Sequence, residues 1–561
     1  MMKKKLPVWL LWPFAVFLLG IWHLLDVRAS VTETGHHWLY GWYGGLFFVS
    51  MVILVGFGVL IFGKNWKLPG LFFGTVMCLG ILYMLVLAPL SAPDEVSHYI
   101  SAYELSNRFL GLPGTDEDGY IYIRAEDDWI EDVNQEFRDW KEKSEQESLN
   151  GENEEIETGK PIILGQTLKE ETYAAIHDGG AVSDQSAEQS VAGESAGNSG
   201  KTTGLRVSRQ PSVRTTPLSY VPQALGFTLA RVLGLNSIAL LYLGRFLNLL
   251  LFAAVGVLTI KRLPFGKNVF FGVSILPMSL HLAASLSYDV VILAFTGYFT
   301  AVCLDLAYKA DTVKVKDVIA LAVVMAVMGP CKMVYGAIAG FCLLIPVKKF
   351  GNWGKWTVSA AAVLGSFLAA MAVVNLRTVA MYTQESDSYV AWAEESGYSF
   401  AELLHQPVRV LQLFYNTVAW QGESLYSGML GESLGNRDAV LNTPYVVILL
   451  LTACLVILAL KKPGEEIFIK VKERFWIWFI CLMIFAALMF SMLLAWTPKS
   501  SNMVQGVQGR YMLPLLPVLL LTLKNQKVVR TGTDDRLVLY TMMAADVYVI
   551  LRIFAVVCLR L

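Results

Sequence analysis

The stretch Leu71-Phe-Phe-Gly-Thr-Val-Met-Cys-Leu-Gly-Ile-Leu-Tyr-Met-Leu-Val-Leu-Ala-Pro-Leu90 contains no charge and then gives way at once to Ser91-Ala-Pro-Asp-Glu95. A hydrocarbon core of roughly 30 Å takes about 20 apolar residues in helical form, so this stretch reads as one membrane crossing that ends at a pair of carboxylates. Backbone groups in lipid must pair within the chain, which selects helices over open strands. Similar runs recur at 41–62, 445–460 and 475–496. With 55% hydrophobic against 16% charged residues and a mean hydropathy of +0.51, the 561-residue chain is excluded from the soluble globular class.

Applied to the whole chain, the same criterion places about thirteen crossings, near 7–25, 41–62, 68–88, 237–258, 268–285, 288–307, 315–328, 333–347, 355–375, 443–460, 474–496, 511–523 and 537–559. The expected fold is an all-α polytopic membrane protein with further helices lying along the external interface. The opening Met1-Met-Lys-Lys-Lys5 resembles the start of a secretory signal. The exit through Asp26, Arg28 and Glu33 lacks a small-x-small cleavage pattern, so 7–25 reads as an uncleaved first crossing.

Basic residues mark every second linker: Lys3, Lys4 and Lys5; Lys64 and Lys67; Lys261, Arg262 and Lys267; Lys309, Lys314 and Lys316; Lys348, Lys349 and Lys355; the run 461–474; and Lys524, Lys527 and Arg530. By the positive-inside rule these are cytoplasmic, together with the N-terminus. Segments 26–40, 89–236, 376–442 and 497–510 are then extracytoplasmic. The net charge of −1 conceals this partition, since residues 89–200 hold 26 acids against 7 bases and the rest of the chain 20 against 38. All seven cysteines lie in or beside apolar segments, which leaves the polar insert without a disulfide framework or a structural zinc module.

Five regions follow. Residues 1–66 hold two N-terminal crossings, and 67–130 the third crossing with an external amphipathic helix. Residues 131–204 form an acidic, Gly/Ser/Glu-rich insert with too few apolar residues for a core. Residues 205–525 are the main transmembrane region with the external loop 376–442, and 526–561 hold a last crossing. The segment 91–111 reads as a helix entered through Ser91 and Pro93, stopped at Gly111 and lying on the outer membrane surface. Asp94, His98, Ala102, Leu105 and Phe109 share one of its faces. Residues 400–418 read as a second interfacial helix, followed by a Gly-rich run over 422–435.

Charges in hydrocarbon are costly unless paired, hydrated or extended to the surface, so they are the informative residues. The topology brings Asp94, Glu95, Arg245, Asp289, Lys332 and Arg510 to similar depth near the outer face. Cations at that boundary suit a lipid-linked phosphate whose tail stays in the bilayer, which nominates Arg245, Lys332 and Arg510 as phosphate-binding groups. Asp94, Glu95 and His98 are the catalytic candidates. A carboxylate there would deprotonate an acceptor hydroxyl, or Asp94 and Glu95 would hold a divalent cation such as Mg or Mn. Plainer readings stand beside these: helix-start acids as caps, Arg245 or Lys332 paired with Asp289 or snorkelling, Arg510 and Tyr511 as an interface anchor, and His98 as a surface histidine. Gly506 and Gly509 point to close backbone approach. No nucleic-acid partner is expected.

The segment Ala92-Pro-Asp-Glu-Val-Ser-His-Tyr-Ile-Ser-Ala-Tyr103, Tyr220-Val-Pro222, Arg245-Phe-Leu-Asn248, Pro277 with Ser287-Tyr-Asp289, Lys332-Met-Val-Tyr335 and Gln508-Gly-Arg-Tyr-Met-Leu-Pro514 together resemble the bacterial membrane-protein family called domain of unknown function 2142. The resemblance extends from about 70 to 525 and implies a multi-pass protein of the bacterial cell membrane. It adds Tyr220, Asn248, Asp289, Tyr335, Gln508 and Tyr511 as supporting site residues. In hydropathy plan and early external Asp-Glu, that family is similar to the C-type glycosyltransferase fold. This second likeness implies an inverting enzyme that takes a sugar from a polyprenyl-phosphate donor to a glycan or lipid acceptor, with an acid of the first external loop activating the acceptor or binding metal. The chain departs from that plan through two additional crossings before Asp94 and the long acidic tract. A transporter or flippase of a lipid-linked or anionic solute, or a noncatalytic envelope assembly protein, would use the same charges differently.

Overall fold

A computed structural model describes residues 7–63, 66–87, 89–117, 119–127, 205–211, 217–383, 389–390, 392–435, 441–467 and 469–558. The acidic insert expected at 131–204 and the basic residues Lys3, Lys4, Lys5 and Lys64 lie outside these residues. The described chain is mostly helical, and eight helices are long and apolar enough to cross a membrane: Val8–Thr32, Trp38–Gly63, Leu68–Val86, Ser237–Arg262, Asp289–Tyr308, Trp353–Val374, Val471–Trp496 and Asp535–Val556.

At the other five expected positions the chain is helical but short or broken. The stretch 268–285 divides into Lys267–Ser274 and Pro277–Ala283, because Leu276 turns extended ahead of a proline that has no N–H to continue the ladder. Val315–Cys331 runs 17 residues and Tyr445–Ala459 only 15. Met333–Leu344 winds as a 3-10 helix, and 511–523 becomes the 3-10 turn Gly509–Leu515 followed by Leu516–Leu521. The all-α expectation also needs amendment. Tyr120–Arg124 pairs antiparallel with Leu205–Pro211, and Tyr389–Val390 with Glu395–Ser396.

Large apolar side chains such as Phe48, Val52, Leu368, Phe475 and Leu482 stand exposed on the outer helices, a surface that suits lipid and would be a liability in water. The last helix, Asp535–Cys558, is central: it packs against Leu11–Thr34, Trp38–Gly63, Leu68–Val86 and Tyr445–Ala459. It joins the N-terminal helices to the rest of the bundle.

The two ends of the bundle differ. At one, the basic linkers are tied to one another. Arg262 bridges Asp305 and Asp317 at 3.0 and 2.8 Å, Lys524 meets Glu465 at 2.6 Å, and Asp535 receives both Lys462 and Arg530. Lys349 donates to the carbonyls of Leu306, Ala307 and Ala310, each at 2.9 Å, and so caps the helix that begins at Asp289.

The other end carries two small cores of its own. Tyr99, Tyr103, Tyr220 and Phe227 pack with Ile121, Ile123 and Leu286 in one. The first hairpin lies against the Glu95–Phe109 helix in this core, fastened by Asp127, which accepts from Tyr103 at 2.6 Å and from Arg124 at 2.7 Å. The helix starts at Glu95 rather than at Ser91. Most of its residues are buried, so it is enclosed and does not lie free on a surface. In the second core, Tyr398, Leu403 and Leu413 pack with Met489, Leu493, Val504 and Val507. The expected interfacial helix over 400–418 breaks at Pro407, and Pro407–Leu430 continues through most of the Gly-rich run to Gly431.

Candidate functional site

Asp94 adopts a left-handed backbone conformation with φ of 55°, unusual for a residue with a side chain. It directs the two adjacent carboxylates into different surroundings. Glu95 turns inward, where it and Arg245 are both fully buried. The guanidinium grips it through Nε at 2.8 Å and Nη2 at 2.5 Å. The Glu95 carboxylate also accepts from the backbone N–H of Ala92 at 3.2 Å and Leu286 at 3.0 Å, and Arg245 donates through Nη1 to the Leu87 carbonyl at 2.7 Å. This bidentate pair joins the end of the third helix, the start of the fourth and the loop before Asp289. With its charge satisfied on every side, it is built as a structural clasp.

Asp94 instead faces outward, and its side chain is 58% exposed. It accepts from Arg510 Nη2 at 3.0 Å, while Arg510 Nε donates to Asp289 at 3.2 Å. Lys332 Nζ meets the other oxygen of Asp289 at 3.4 Å and stands over the Tyr511 ring, 3.7 Å from its centroid. Two acids and two bases thus alternate in a row that descends from an exposed end at Asp94 to Asp289 and Lys332, whose side chains are 12% and 15% exposed. Local chain chemistry sets each member. Asp289 opens a helix whose dipole favours an acid, and Lys332 turns extended directly after Val315–Cys331, a helix that carries Pro330 in its last turn. Arg510 sits in a tight 3-10 turn that nests against Pro407–Leu430. A Cβ on Gly509 would collide with the Leu425 carbonyl there, and Gly506 holds a φ of +78°.

The supporting residues divide by role. His98 Nδ1 and the Tyr220 hydroxyl are 2.8 Å apart, and the His98 ring stands edge-on to Tyr288. Burial pushes the His98 imidazole below its ordinary value, against the upward pull of Asp94 and Asp289, so the ring is kept neutral beside the array. Asn248 donates to the carbonyls of Ser285 and Ser287 at 2.8 and 3.0 Å, and Gln223 bridges Asn248 and the Leu286 carbonyl. The loop that delivers Asp289 is therefore fixed by buried amides. Tyr335 donates its hydroxyl to the Tyr511 carbonyl, and the Gln508 carbonyl accepts from Tyr511 N at 3.1 Å. Tyr288 and Gln223 were not singled out from sequence, although Tyr288 stands beside Asp289 in the chain.

Asp94, His98, Asp289, Lys332, Arg510 and Tyr511 are brought together, while Glu95 and Arg245 form their own pair behind them. The space bounded by Asp289, Tyr335, Arg510, Tyr511 and Leu282 is a crevice too narrow for a water molecule. Among the described residues no three His, Cys, Asp or Glu side chains gather as a metal site. A divalent cation at Asp94 would need water and ligand phosphate to complete its shell.

Fold and array together define a polytopic membrane protein with an ionic cluster at one edge of its helix bundle. The chain belongs to the family described as predicted membrane protein DUF2142, whose pattern matches residues 77–519. No curated protein and no solved structure matches the chain significantly.

Proposed function

We propose that the chain is a cell-envelope glycosyltransferase of the C-type architecture, with about thirteen crossings, that uses a polyprenyl-phosphate-linked sugar at the extracytoplasmic face of the bacterial membrane. The observation that carries this reading is the alternating row Asp94, Arg510, Asp289, Lys332, with its exposed carboxylate at one end and its desolvated cations behind. Arg510 has five N–H donors, and its two carboxylate contacts leave others for phosphate oxygens. Donor phosphate competes with Asp94 for Arg510 and releases the carboxylate. Asp94 then takes the proton of the acceptor hydroxyl, and that oxygen bonds to the anomeric carbon on the face opposite the phosphate. The anomeric C–O bond breaks, and the polyprenyl phosphate leaves with the electron pair, stabilised by Arg510 and Lys332. The product has inverted configuration. His98, held neutral against Tyr220, orders the polar wall beside Asp94, and Glu95 with Arg245 positions both. Alternatively, Asp94 would hold a divalent cation, which would supply the positive charge that neutralises the leaving phosphate.

The charges gather at one edge of the bundle, which favours chemistry at a membrane surface over a midplane transport site. The test is reconstitution of the purified chain in vesicles with a panel of labelled polyprenyl-phosphate sugars and lipid or glycan acceptors. Transfer to an acceptor with inversion is expected. Movement of the labelled lipid or of an anionic solute across the vesicle without transfer would replace the enzyme by a transporter, and labelling that put Asp94 on the cytoplasmic side would end the extracytoplasmic placement of the row.

A further inference from the structure

The opposite, basic end of the bundle carries a separate feature. Val313, Leu321, Ala339, Leu343, Ala360 and Leu364 line an apolar cavity of about 220 Å³ among the Val315–Cys331, Met333–Leu344 and Trp353–Thr383 helices. The linkers that close its basic end are joined by the Val313 N–H donating to the Lys349 carbonyl at 2.9 Å. Phe350 and Trp356 also line the cavity, and Trp356 packs edge-on with the exposed Trp353 at 5.5 Å. Paired tryptophans at a helix start are what the headgroup level of a bilayer selects.

The cations here differ from their neighbours. Lys349, Arg262, Lys462, Lys524 and Arg530 are engaged within the protein, as described above. Lys314, Lys316, Lys348 and Lys355 are exposed, and among the described residues none of them forms an ion pair. Lys314 follows a cavity-lining residue, Lys355 precedes another, and Lys348 lies on the linker between.

We infer that this cavity and its lysines form a binding site for one anionic phospholipid of the adjoining leaflet, the acyl chain in the cavity and the phosphate at Lys314, Lys316, Lys348 and Lys355. An apolar slot open to lipid would accept any acyl chain, and the four uncompensated cations supply the selection for a negative headgroup. This site is independent of the Asp94 array, and its failure would leave the glycosyltransferase reading untouched.

The test is native mass spectrometry of the full-length chain released from micelles containing equal phosphatidylglycerol and phosphatidylcholine with identical chains. One phosphatidylglycerol per chain is expected to survive activation, favoured by roughly tenfold or more. Lys314→Gln/Lys316→Gln/Lys348→Gln/Lys355→Gln should bind both lipids equally while melting at the native temperature, since all four side chains are exposed. Ala360→Phe, which fills the cavity, should lose both lipids. Equal retention of the two lipids by the native chain, or a phosphatidylglycerol preference that survives in both variants, would overturn the proposal. So would a dimer dispersed by Ala360→Phe, which would assign this face to a second copy.

Discussion

Two ionic assemblies begin at consecutive residues and end in different environments. The Glu95–Arg245 pair is fully buried and closed by three further hydrogen bonds to backbone groups, whereas the Asp94–Arg510–Asp289–Lys332 row starts at a side chain that is 58% exposed and leaves guanidinium donors for a ligand. A buried pair is costly to break because the survivor remains desolvated. An exposed acid is nearly free to lose its charge so far as stability is concerned. Removing charge at one residue should therefore dismantle the protein, and at its neighbour only the chemistry.

The largest effect is expected from Arg245→Met, which strands Glu95 and should lower stability by about 3–5 kcal/mol, read as a fall in the unfolding midpoint in detergent. Glu95→Leu combined with Arg245→Met should recover much of that loss, because no charge is left unpaired. A single variant as stable as the native chain would show that the pair does not hold the fold. Next, Arg510→Gln should weaken binding of a sugar-free polyprenyl phosphate by about 1.5–3 kcal/mol, measured by titration in nanodiscs. Unchanged affinity would remove the phosphate from this row.

Gly509→Ala should cost about 1–3 kcal/mol in the same melting assay, because the obstacle is the backbone of Leu425 and Met429, which cannot rotate away. A neutral effect would mean that the turn carrying Arg510 is loosely seated. The smallest effect concerns pH. Burial lowers the His98 value below 6.5, so its neutral form is favoured in the folded state. That contribution is complete above the ordinary value and is lost as pH falls below it, at most about 1.4 kcal/mol by one unit beneath 6.5. His98→Gln should flatten the slope of stability with pH in that window, and an unaltered slope would place the titration elsewhere.

Much of this arrangement was legible in the amino-acid order. Uninterrupted apolar runs located helical segments at each expected crossing, and the cost of charge in lipid selected Asp289, Lys332 and Arg510. Glycines 506 and 509 marked a close approach that the packing on Leu425 and Trp496 explains. Hydropathy could not divide 268–285 at Pro277 or show that Met333–Leu344 winds more tightly, since both depend on neighbours. The hairpin of Tyr120–Arg124 with Leu205–Pro211 joins segments far apart in sequence across the insert, and so leaves no local periodicity. The separation of Asp94 from Glu95 was equally hidden. It rests on one left-handed residue and on a guanidinium 150 positions away.

The most direct test places Asp94→Asn and Glu95→Gln side by side in one preparation, each measured for unfolding midpoint and for transfer from the donor that the native chain uses. Asp94→Asn should keep its midpoint and lose about 10²–10⁴-fold in transfer rate, while Glu95→Gln should lose its midpoint. Equal destabilisation of the two variants, or transfer at the native rate by Asp94→Asn, would contradict the division of labour between these neighbours.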